Sequence, residues 1–182
     1  GRPHAGVEVE GLPQADELER LKQDLARQRT LPPETLEALR TARRRRLSAM
    51  DGLRLAVESQ MLEPDPASGD DPPAWRARAV RMVARMPILA AAHARLRLGL
   101  EPVEPPANLG HAAAYLTALR GIQPDADSVR ALETYLNSVI DHGLNASTLT
   151  ARVVASTHAD MIAAVSAALA ALKGPLHGGA PG

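Results

Sequence analysis

Cysteine and phenylalanine are both absent from the 182 residues, and so is any excess of one charge, since 21 lysines plus arginines balance 21 aspartates plus glutamates. The missing thiols exclude a disulfide framework, a thiolate zinc site and a cysteine nucleophile, and leave the redox compartment open. Zero net charge removes any global field that would steer the chain to nucleic acid or an anionic membrane. Long hydrophobic runs are missing too. The most apolar stretch, residues 161–172, is bounded by Asp160 and Lys173 and falls well short of the ~20 residues that a membrane span needs. A soluble, cytoplasmic protein is the expectation. Aromatic residues make up 2% of the chain against 45% hydrophobic, so its core has to be built from alanine, leucine, valine and methionine, which suits close-packed helices. The length fits one helical domain or most of one, and a large multidomain enzyme is not the expectation for these residues.

What is present repeats with the helical period. Residues 15–29 place Leu18, Leu21 and Leu25 on one stripe and stop before Leu31, Pro32 and Pro33. Residues 33–42 begin with proline and Glu34, which suit a helical first turn. A third helix is expected over 51–62, and the proline- and aspartate-rich residues 63–73 form a loop. Residues 74–98 are helical again, with Pro87 expected to kink or split them, and the proline-rich residues 101–106 end them. Further helices are expected over 109–119, 125–142 and 146–172. The last is apolar or small on nearly every face and so reads as one buried helix. The only strand signal is a short pair near Val7 and Val9. The fold class is all-α, with no repeat at solenoid spacing.

Nucleotide loops, the serine-hydrolase elbow, the zincin helix and the calcium loop are all missing. The six histidines are the remaining polar chemistry, and two stand in unusual contexts: DHGLNAST around His142 and LKGPLHGG around His177. His142 reads as the last residue of a helix with Gly143 at its C′ position and Asn145 or Ser147 capping the next helix. His177 follows a helix ended by Lys173, Gly174 and Pro175, and precedes two glycines that let a backbone approach a ligand or hinge. On the residues alone, each histidine has a structural explanation beside the functional one.

The run HGLNASTLTARVVASTHADMIAAVSAALAALKGPLHGGA, residues 142–180, resembles the histidine–asparagine–serine segment, long buried helix and GPLHGG loop of the citrate synthase family. LPPETLEALR, AMDGLRLAV, RMPILAAAHARLRLG, NLGHAAAYLTALRG and DSVRALETYLNSVIDHGLN are similar to upstream pieces, in order. The resemblance implies a helical large domain over residues 12–180, an unassigned segment over 1–11 and a small domain lying beyond 182. It implies a homodimer, or a second chain carrying the small domain, with the active site between domains. The implied reaction condenses acetyl-CoA, a substrate and not a tightly bound cofactor, with oxaloacetate to give citrate and CoA. No metal, nucleic acid or membrane is implied.

By the same resemblance, His177 donates a hydrogen bond to the thioester carbonyl, His142 contacts oxaloacetate, and Asn145 and Ser147 support them. One preorganised donor at a developing oxyanion is worth about 3–4 kcal/mol. A neutral imidazole fills that role if its other nitrogen accepts a hydrogen bond, which the Ser147 hydroxyl can supply. The sequence departs from the family at Gly143, where glutamate is usual, at Pro181 and Gly182 in place of asparagine and glutamate, and at Ile162 in place of tyrosine. The family's general-base aspartate and substrate arginines come from the small domain, so these residues alone are expected not to turn over. A 2-methylcitrate synthase, or a non-catalytic subunit that keeps the dimer-forming helices, has the same skeleton.

Other features have simpler readings. Arg43 to Arg46 either grip a phosphate or form a solvated turn, and with no aromatic neighbours the turn is expected. His93, His111 and His158 form no metal set and read as packed or surface residues. Trp75 reads as a core plug or staple, and Met82 and Met86 as core filling. The small residues of 146–172 suit either a monomer core or a dimer interface.

Overall fold

The computed structural model describes residues 15–65, 67, 69, 71–141 and 143–178. Among these residues the chain is all helical: α1 (Ala15–Arg27), α2 (Pro33–Arg44), α3 (Ala49–Glu58), a 3₁₀ turn (Ser59–Leu62), α4 (Pro72–Arg97), α5 (His111–Arg120), α6 (Ala126–Ser138), α7 (Ala146–Ala155) and α8 (Met161–Leu172). The expected strand pair near Val7 and Val9 lies outside the described residues. No described helix is long and apolar enough to cross a membrane.

Side-chain caps fix where the helices begin. Ser48, Asp71, Asp125, Asn145 and Asp160 each accept a hydrogen bond from the backbone N–H three residues on, and so satisfy one of the donors a helix N-terminus leaves unpaired. Gly121, at φ 80°, closes α5 in the left-handed conformation that glycine adopts without a steric penalty.

The core lies among α2, α3, α4 and α8, where Leu39, Val57, Leu89, Leu96 and Leu169 pack with Ala56, Ala92 and Met82. α5 covers another face of α4 through Ile88, Ala91 and Ala118. The alanines let helix axes approach closely, which is how a chain without phenylalanine fills its interior. Met82 is buried and Met86 half-buried against the same cluster.

Three expectations need correction. Pro87 does not divide α4, which runs unbroken for 26 residues. Ala84, Ile88 and Leu89 are buried around the proline, and this packing outweighs the lost backbone hydrogen bond. α6 ends at Ser138, short of His142, so Gly143 is not its C′ residue. Gly143 nonetheless has a left-handed φ of 58°, and its N–H donates to Asp141 Oδ1 at 2.9 Å.

The third correction matters most for the site. Residues 146–172 are two helices joined by a turn at 156–160. The Ser156 and Thr157 hydroxyls donate to the carbonyls of Val153 and Val154, at 2.7 Å each. His158 reverses the chain at φ 62°, and Asp160 caps α8. The two helices pack against each other as a hairpin. Burial is also less than expected: no residue of α7 is buried, and in α8 only Ala164, Ser166 and Leu169 are. The outer face of α7 has no partner among the described residues, so apolar composition alone did not bury it.

Candidate active site

Because α7 and α8 run antiparallel, the start of α7 meets the residues that follow α8. A single straight helix over 146–172 would have held the two ends about 40 Å apart. Asn145 caps α7, accepting from the Thr148 N–H at 3.0 Å. This settles which of Asn145 and Ser147 is the cap and leaves the Ser147 hydroxyl, one residue into the helix, for another partner. At the other end, the His177 N–H donates to the Gly174 carbonyl at 3.0 Å and folds the GPLHG segment into a turn.

Two contacts anchor that turn. Lys173 Nζ donates to both carboxylate oxygens of Asp51 at 2.8 Å, tying the end of α8 to the first turn of α3. The Lys173 ammonium, followed by the Ser48 hydroxyl, holds the Asp51 carboxyl below its ordinary pKa. Gly178 lies directly on Leu172: a Cβ there would stand 2.2 Å from Leu172 Cδ1. The glycine is needed for this close approach.

The outcome is a hydrogen bond of 2.8 Å between Ser147 Oγ and His177 Nε2, both half-buried. A serine hydroxyl both donates and accepts, so the bond fits either imidazole tautomer. When the hydroxyl donates, Nε2 is the acceptor and Nδ1 carries the proton. Nδ1 has no bond among the described residues and then offers an N–H donor to a carbonyl oxygen.

Of the four residues singled out in the sequence, the structure thus joins Ser147 and His177 directly and places Asn145 two residues away as a helix cap. His142 lies outside the described residues. The Asp51 anchor was not foreseen, because its partner Lys173 is 122 positions away and no local pattern marks the pair. Among the described residues, no group of three or more histidines, aspartates and glutamates is arranged to hold a metal ion.

A larger cavity of about 500 Å³ opens between the 3₁₀ turn, α4 and the start of α8. Trp75 forms part of its wall, half-buried with the Arg78 guanidinium 5.6 Å from its ring centroid, so of the two expectations, plug or staple, the buried plug does not hold. The arginines here are committed internally: Arg78 to Asp65 at 2.6 Å, and Arg81 and Arg85 to Glu63 at 3.5 and 3.0 Å.

The family profile described as "Citrate synthase, C-terminal domain" matches residues 9–182. The chain belongs to the citrate synthase family. It is 42% identical over 169 residues to citrate synthase 2 of Bacillus subtilis, covering 93% of this chain and 45% of that protein. It is 44% identical over 131 residues to the 2-methylcitrate synthase of Mycobacterium tuberculosis, covering 72% of this chain and 33% of the relative. Its fold superposes on the citrate synthase of Pyrobaculum aerophilum with a TM-score of 0.85 at 36% identity, covering 93% of this chain and 44% of that one. The Thermoplasma acidophilum enzyme, solved as a ternary complex with carboxymethyl coenzyme A and oxaloacetate, superposes with a TM-score of 0.79 at 27% identity. The chain therefore spans somewhat under half the length of the citrate synthases it resembles.

Proposed function

We propose that the protein is an acyltransferase of the citrate synthase type, in which the acetyl-CoA methyl carbon adds to the oxaloacetate ketone and water then hydrolyses the resulting thioester to give citrate and CoA. These residues supply the donor that polarises the thioester. The observation that carries the reading is the Ser147–His177 hydrogen bond at 2.8 Å, which holds the imidazole in place and, when the hydroxyl donates, leaves the proton on Nδ1. As a base removes the methyl proton, negative charge gathers on the thioester oxygen. An N–H from His177 Nδ1 stabilises that charge, and Ser147 holds the tautomer. His142 contacts oxaloacetate in this proposal. Asn145 acts indirectly, by setting the start of α7.

The proton-abstracting carboxylate comes from the remaining half of the family's subunit, so residues 1–182 alone release no CoA. The protein acts as a homodimer, and the exposed apolar residues Tyr135, Ile140, Leu149 and Val153 of the α6–α7 region are its covered face. The presence of 2-methylcitrate synthases among the relatives favours a second reading, with propionyl-CoA as acyl donor.

The test is a CoA-release assay with oxaloacetate on the protein isolated intact from its source, with acetyl-CoA and propionyl-CoA in parallel. The proposal predicts a higher kcat/KM with acetyl-CoA. The reverse order moves the assignment to 2-methylcitrate synthase, and CoA release with neither removes both.

A further inference from the structure

The arginine run forms an exposed turn, as expected, and its side chains have different surroundings. Arg44 pairs with Glu37 at 2.7 Å. Arg43 and Arg46 instead line a small cavity of about 220 Å³ at the α2–α3 corner, together with Arg97 from the last turn of α4 and with Ala42, Leu47 and His93. No carboxylate lines this cavity, and none of its three guanidiniums is in an ion pair among the described residues. Arg97 makes only a long contact, 3.4 Å, to the Leu47 carbonyl. Helix C-termini account for a basic residue in each last turn, but not for the convergence of three on one cavity.

Two further features mark the place. Arg46 holds a left-handed φ of 55°, a conformation that costs a non-glycine residue energy and gathers at functional sites. His93 is 4% exposed, and neither ring nitrogen has a hydrogen-bond partner among the described residues. Its ring lies on Gly52, where a Cβ would stand 2.4 Å from Cε1. Burial, then the nearby Arg97, pushes its pKa down, and the approach of the Ala49 backbone only partly offsets this. His93 is therefore a buried imidazole, held below its ordinary pKa, beside three cations.

We propose that Arg43, Arg46, Arg97 and His93 form a binding site for a phosphate group, distinct from the His177 site. Guanidiniums match phosphate oxygens in charge and in planar, bidentate geometry, and the buried His93 ring lines the cavity without adding a competing negative charge. A cavity of this size admits one phosphate and the start of whatever carries it. The carrier decides between free phosphate and a small phosphate monoester.

The purified protein is titrated calorimetrically with inorganic phosphate, with glucose 6-phosphate, and with chloride at matched ionic strength. Saturable binding of phosphate but not chloride is expected, and tighter binding of the ester would identify the carrier as an organic phosphate. Arg43→Gln should weaken binding about tenfold or more, the usual worth of one charged donor. Arg46→Gly removes the guanidinium and also relieves the left-handed strain, so it should raise the melting temperature while weakening binding. Binding that both variants retain, or chloride heats equal to phosphate heats, would overturn the proposal. Binding is read without turnover, so the result is independent of the proposed synthase activity.

Discussion

The Ser147 hydroxyl stands 2.8 Å from Nε2 of His177 although 30 positions and a helical hairpin separate the two residues. The distance rests on two local features, the Asn145 cap that starts α7 and the left-handed turn at His158, and on one long-range contact, the Lys173–Asp51 anchor that holds the end of α8.

Removing the hydroxyl frees the imidazole to take the other tautomer or to rotate. Ser147→Ala is expected to lower kcat of the intact protein roughly ten- to hundredfold, the worth of about 1–3 kcal/mol for one broken partly buried bond. Ser147→Thr keeps a hydroxyl and should recover much of the loss. Steady-state CoA release checks both, and equal losses in the two variants would speak against the tautomer role.

Glycine inside α3 would ordinarily be improved by alanine, by about 1 kcal/mol of helix propensity. At Gly52 the opposite is expected, because the new Cβ would overlap the buried His93 ring. Gly52→Ala should destabilise by about 1–3 kcal/mol, measured by urea denaturation. In a His93→Ala background the same change should cost far less, and additive effects would show that the ring is not what excludes the side chain.

Glu63 accepts from the buried Arg85, and that hydrogen bond, ahead of the opposing effect of burial, holds its carboxyl below the ordinary value of 4.5. A depressed folded pKa means stability that is complete above pH 4.5 and fades as pH falls through the lower folded value. The melting temperature should therefore drop below about pH 4.5. Glu63→Gln should cost about 1–3 kcal/mol at pH 7 by leaving Arg85 without its anion, and its deficit should shrink in acid. A deficit that stays constant down to pH 3 would rule out this linkage.

Much of the fold was legible because its signals are local. The leucine stripe of α1 and the proline start of α2 lie within a turn of what they determine. The hairpin at 156–160 was not legible as a break. Ser156, Thr157 and His158 are individually tolerated inside helices, and only their hydroxyl-to-carbonyl bonds and one left-handed residue reveal the stop. For the site, the chemistry of a neutral imidazole pointed to Ser147 as the partner of His177, and the two are hydrogen-bonded. Pairs such as Asp51 with Lys173, or Gly52 with His93, depend on tertiary packing alone and leave no pattern in sequence.

The exposed faces of α6 and α7 give the dimer proposal its own test. Leu149→Asp combined with Val153→Asp places two charges on a surface this chain leaves open, so the monomer fold should persist by circular dichroism. Sedimentation of the intact protein should shift from dimer to monomer. An unchanged sedimentation coefficient would assign these residues to some other surface.

If His177 donates to the thioester oxygen, removing its ring must slow the reaction. The most direct test compares CoA release by the intact protein with that of His177→Ala, using acetyl-CoA and oxaloacetate at saturation. Loss of an oxyanion donor predicts a fall in kcat of about 10²- to 10³-fold with an unchanged helical spectrum. A well-folded His177→Ala protein that releases CoA within a few-fold of the parent rate would contradict the account.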